Sequence, residues 1–161
     1  MMRILIQLML FCLLFTAMVK YAVRGGAADG LFFYPKAVQE RVFELGLSDP
    51  ETMAEKRRRF MPVFVQVMLI ALLLIVGVWN KASGFREAYA QCLLFLEVMN
   101  WYDGIVIDRL WVGHDPFWVL PGTEGIPFVQ TWPQVLKKRL ILTVIWIVLA
   151  VIPAGIITAF I

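Results

Sequence analysis

The sequence predicts an all-α integral membrane protein folded as a four-transmembrane-helix bundle, and three observations carry that expectation. Hydrophobic residues make up 61% of the chain and charged residues only 17%, whereas soluble domains hold roughly 45–50% apolar and about 25% charged residues. Four apolar stretches each approach the roughly 20 residues that a helix needs to cross a bilayer. Twelve of the 15 Lys and Arg residues fall in or beside two of the intervening segments, 20–59 and 109–139. That bias follows the positive-inside rule.

The first span is expected at about residues 4–23, with Lys20 snorkelling outward. Arg3 and the apolar run after it resemble a secretory leader. However, Lys20 and Arg24 close the run without a small-x-small cleavage site, so the helix is expected to be retained. Residues 24–59 follow as a cytoplasmic loop with a helix of its own. Gly25-Gly26-Ala27-Ala28-Asp29-Gly30 reads as a turn, and after Pro35 the apolar residues Val38, Val42, Phe43 and Leu45 recur at helical spacing among charges. This short amphipathic helix suits either the membrane surface or ordinary packing. Ser48 and Glu51 are spaced as a capping box around Asp49-Pro50. A helix is therefore expected to start there and run through Arg57-Arg58-Arg59 into the second span, about residues 60–79, bent near Pro62.

The third span is expected at about residues 88–111, and a Pro/Trp-rich cytoplasmic loop at 112–138. Four prolines (Pro116, Pro121, Pro127 and Pro133) forbid a long helix in that loop, while Phe117, Trp118, Phe128 and Trp132 are too many for a disordered linker. It should form an ordered flap at the bundle mouth, with a type II turn at Leu120-Pro121-Gly122-Thr123. The fourth span is expected at about residues 140–161. The whole chain is one membrane domain of a plasma or inner membrane, with both loops cytoplasmic and both termini outside.

Several function classes are excluded. The basic residues serve topology and leave no folded face for nucleic acid. Cys12 and Cys92 lie inside apolar runs and act as small hydrophobes. A single histidine rules out bis-histidine haem, the usual catalytic and phosphate-loop motifs are missing, and no cofactor is expected.

The informative segment is 97–109, EVMNWYDGIVIDR. Charged groups at the centre of a spanning helix cost about 2.5–3.5 kcal/mol each on insertion scales, so these residues should face the bundle interior. At about 100° per residue, Glu97, Trp101, Gly104 and Asp108 share one stripe, Asn100 lies beside it and Asp103 further round. Gly104 would admit the close approach of another group. No Lys or Arg is expected deep in any span to neutralise Glu97, which leaves room for a proton, a metal ion or a cationic ligand. Asp108 and His114 are the weak metal candidates.

Three functions fit. In the first, an acidic, aromatic site of Glu97, Asn100, Trp101, Asp103 and Asp108, lidded by Trp118 and Trp132, binds or helps translocate a small cationic or amphipathic ligand. In the second, the polar stripe docks a partner helix in a membrane complex, as an accessory subunit or a homo-oligomer. In the third, Glu97 and Asp103 act as acid and base on a lipid or isoprenoid-like substrate. Membrane lipids are partners in all three.

Overall fold

A computed structural model of the chain describes residues 2–160. All regular structure among them is helical. Helix α1 spans Met2–Ala22, a short 3₁₀ segment Ala27–Phe33, and α2 Lys36–Glu44. Helix α3 (Pro50–Leu73) continues as a π-helical segment, Leu74–Trp79. Helix α4 (Phe85–Tyr102) continues likewise through Asp103–Trp111. A 3₁₀ turn at Pro116–Trp118 precedes α5 (Trp132–Leu149) and α6 (Val151–Phe160).

Three helical rods are long and apolar enough to cross a membrane: Met2–Ala22, Pro50–Trp79 and Trp132–Phe160. Most of their surface is turned outward. On the last rod Leu140, Val144, Val148 and Ile152 repeat every four residues and are all more than half exposed, an apolar stripe suited to lipid. The rod breaks at Ala150, where Pro153 supplies no N–H to the Leu149 carbonyl one turn back.

The 85–111 rod sits among the others. It packs most extensively on α6, then on α5 and α1. Its inner face is the repeat Ala88, Cys92, Phe95, Leu96, Met99, Asn100, all buried and spaced as one helical face. Ala88, Ala150 and Ala154 are fully buried, and such small residues let helices approach closely. Phe95 meets Phe11 of α1 edge-on, with ring centres 5.6 Å apart.

Helix boundaries differ from the sequence expectation at two places. The cap of α3 is Asp49, not Ser48: its carboxylate accepts from the Thr52 N–H at 2.8 Å and the Thr52 hydroxyl at 2.7 Å. Proline at the next position then fits the first helical turn. Pro62 is well inside α3, twelve residues from its start, and the helix runs on through it. The helix that carries the last apolar stretch begins at Trp132, ahead of the span expected from about residue 140. There Gln134 Oε1 accepts from the Thr131 N–H at 2.8 Å and from its hydroxyl at 3.1 Å, the returning half of a capping box. Lys137, Lys138 and Arg139 therefore belong to a helix and not to a loop.

The two long loops between the rods gather at one end. Helix α2 is packed, with Val38 and Val42 buried against the protein. Tyr34 Oη donates to the Trp118 carbonyl at 2.8 Å, and Arg41 Nε to the Gly122 carbonyl at 3.3 Å. Burial raises the Tyr34 phenol above its ordinary pKa, so it stays a donor. The expected turn is present: the Thr123 N–H bonds the Leu120 carbonyl, and Gly122 adopts φ +78°, which a type II turn requires of its third residue. Arg3 meets Asn80 at the opposite end of the molecule.

Candidate ligand-binding cavity

Asp103 and Asp108 are five residues apart, which in an α-helix would set them about 140° round from each other. From Asp103 onward the helix adopts the wider π register, closing with a bond from the Val112 N–H to the Ile107 carbonyl at 2.8 Å. In that register the backbone bonds run between residues five apart, which come closer round the axis than in an α-helix. Both carboxylates then reach a single cation, Arg139 of α5. Its Nη1 lies 2.7 Å from Asp103 and its Nη2 2.7 Å from Asp108.

A basic residue expected at the edge of the last span is therefore buried inside the protein, where it meets the two aspartates and not Glu97. Arg139 is 1% exposed, the largest fully buried side chain in the molecule. Removing a guanidinium from water costs several kcal/mol, which two hydrogen-bonded carboxylates offset. Gly104 makes the arrangement fit, since a Cβ there would sit 2.5 Å from Arg139 Nε. The close approach expected at this glycine is made by that side chain.

Polar contacts extend from this pair in both directions along the α4–α5 seam. Asn100 Nδ2 donates to the Arg139 carbonyl at 3.1 Å and to Thr143 Oγ1 at 3.4 Å. The Thr143 hydroxyl donates to Glu97 Oε2 at 2.7 Å. Glu97 is thus answered by a hydroxyl, while Arg139 serves the two aspartates. On the other side, Lys138 Nζ lies 3.4 Å from Asp108.

Above this charged floor lies a cavity of about 520 Å³, within the range of small-molecule sites. Its walls are apolar and aromatic: Phe15 and Val19 from α1, Phe60 and Phe64 from α3, and Tyr34 and Trp118 from the loops. Asn100, Asp103, Asp108, Lys138 and Arg139 supply the polar side.

Of the residues singled out from the sequence, Asn100, Asp103, Asp108 and Trp118 line this cavity, whereas Glu97, Trp101 and Trp132 do not. Trp118 is 2% exposed and meets Trp111 edge-on at 5.2 Å. Trp132 is half exposed, with the Arg109 guanidinium 4.9 Å above its ring. His114 Nδ1 faces the Arg109 and Leu110 carbonyls at 3.0 and 3.1 Å. Among the described residues no three His, Cys, Asp or Glu side chains converge as metal ligands.

Sequence reasoning missed Arg139 and Lys138 as site residues because a Lys-Lys-Arg run beside an apolar stretch reads as a topology signal. The available clue was Thr131-Trp132-Pro133-Gln134, a helix start that places Arg139 two turns inside α5. No protein-family model, curated protein or solved structure matches this chain, so fold and site rest on its own residues.

Proposed function

We propose that the chain is a four-span membrane protein that binds, or helps translocate, a small amphipathic ligand in the cavity above Arg139. The fourth crossing is the 85–111 rod. Its hydropathy is low because its polar residues turn inward onto Arg139 and Thr143, where lipid does not meet them. The positive-inside rule places the end carrying both loops, with 12 of the 15 basic residues, in the cytoplasm of a cell with a plasma or inner membrane.

The observation that carries the ligand reading is the cavity itself: one apolar aromatic wall faces one charged floor across a void large enough for a guest. The charge count narrows the choice. Asp103 and Asp108 are balanced by Arg139 and Lys138, which weakens the case for a simple cation and favours a molecule with an apolar chain.

Native mass spectrometry of the protein extracted from its membrane tests this reading. The wild type should retain an amphiphile. Val19→Phe, which adds a ring at the cavity wall, should lose it while keeping its helical content. Val144→Phe, on the exposed face of α5, should retain it. Equal retention by Val19→Phe, or none by the wild type, contradicts the proposal.

A further inference from the structure

The rods around the cavity pack on one another along three of its sides, α1 on α3, α1 on α4 and α4 on α5. Between α3 and α5 no seam of comparable extent exists, although both helices flank the space. The ion pair and ring contacts that α3 makes with other elements run elsewhere: Lys56 to Asp29, Phe60 to Phe32 and Phe33, and Phe64 to Phe15. Helix α3 meets the last rod on α6 instead, beyond the break at Ala150. The two rods thus come together past the break and part towards the loops, with the cavity in the cleft between them. Its edges are Met61 and Phe64 on α3 and Leu142 and Trp146 on α5. All four are partly exposed, as residues at the rim of an open cleft are.

This rim is apolar and lies at the depth of lipid chains. Arg57, Arg58 and Arg59 are exposed just ahead of Met61, which sets the cytoplasmic interface there. At about 1.5 Å per residue, Phe64 lies about 8 Å below Arg59, inside the roughly 15 Å of hydrocarbon in one leaflet. The loop end offers no comparable gap, since Tyr34 and Trp118 are buried across it and tied by the bond from the Tyr34 hydroxyl to the Trp118 carbonyl. We infer that the cavity opens sideways between α3 and α5 into the cytoplasmic leaflet. Its ligand is then a chain-bearing lipid of the bilayer itself, which reaches the site without passing through water. The inference rests on the ligand-binding reading above and adds the ligand's source and route to it.

Bridging the cleft tests the route. Met61→Cys and Leu142→Cys are introduced together and joined by a cleavable bis-maleimide; Cys12 and Cys92 are buried and do not compete for it. The protein is reconstituted in phosphatidylcholine vesicles, a diazirine-bearing fatty acid is added, and photolabelling of the α1 peptide with Phe15 is followed in time. The bridge should slow labelling by about tenfold, and cleaving the linker should restore it. A second pair, Arg41→Cys and Glu124→Cys, is exposed at the loop end, where both native side chains bond to Gly122. A bridge there should leave labelling unchanged. Slowing by the loop bridge, with or without the other, overturns the lateral route and leaves ligand binding standing. Unchanged labelling under both bridges overturns the route as well. So does failure of linkers of graded length to join the first pair, because its residues then do not face one cleft. If the unbridged protein shows no displaceable labelling, the ligand-binding reading itself fails.

Discussion

At the end of the molecule where α1 begins, Gln7 is fully buried and fully answered. Its amide exchanges hydrogen bonds with Asn80 at 2.8 and 3.1 Å, Asn80 also donates to Gln91 at 2.8 Å, and Arg3 closes the group on Asn80 and the Trp79 carbonyl at 2.6 Å. At the loop end Arg139 is equally buried, but Asp103, Asp108 and Lys138, which it gathers, border a cavity with aromatic walls. Both clusters join helices across an apolar core. One is closed on itself, which is what a structural tie needs, and the other holds its charges beside a void large enough for a guest.

Disrupting Arg139 should have the largest effect. Arg139→Met leaves Asp103 without its cation and Asp108 with Lys138 alone, and should destabilise the protein by about 3–5 kcal/mol, read from denaturant unfolding in mixed micelles. Adding Asp103→Asn and Asp108→Asn should recover most of that loss, because the buried repulsion is removed with the charge. Gly104→Ala comes next. Its new methyl lies 2.5 Å from Arg139 Nε, and displacing that side chain should cost about 1–3 kcal/mol and reduce ligand retention with it. At the opposite end Gln7→Leu should cost about 1 kcal/mol and leave ligand retention unchanged, since Asn80 keeps Gln91 and Arg3.

The smallest effect is expected outside both clusters, at the start of α3. The Thr52 N–H and hydroxyl hold the Asp49 carboxyl below the usual aspartate range. A group with a lowered folded-state pKa stabilises in full above its unfolded value and loses that contribution as pH falls through the folded one. The melting temperatures of wild type and Asp49→Ala should therefore differ slightly at neutral pH and converge as the pH falls below the ordinary aspartate range.

Much of the architecture was legible because it depends on local signals. Apolar runs marked the rods, Pro35 and the Val38/Val42 spacing marked α2, and Leu120-Pro121-Gly122-Thr123 marked its turn. The inward-facing character of Asn100, Asp103 and Asp108 followed from the cost of charge in lipid. The pairing of those aspartates was not legible. It depends on a π register beginning at Asp103, which no local signal in the sequence announces. The role of Arg139 was hidden for a similar reason. Its neighbours Lys137 and Lys138 are exposed, and beyond the helix start at Thr131 it is the facing Gly104 that distinguishes it. Glu97 drew attention as a lone buried acid, yet Thr143, a residue of no chemical prominence, is its partner.

Photolabelling in native membranes tests the difference between the two ends most directly. A fatty acid carrying a diazirine on its chain is equilibrated with the protein, irradiated, and the labelled peptides are mapped. The account predicts saturable labelling concentrated on segments bearing Phe15, Phe60, Phe64 and Trp118, displaced by excess unlabelled fatty acid, with none displaceable around Gln7 and Asn80. Labelling spread evenly over the lipid-facing stripes, with no displaceable component at the cavity, would contradict it.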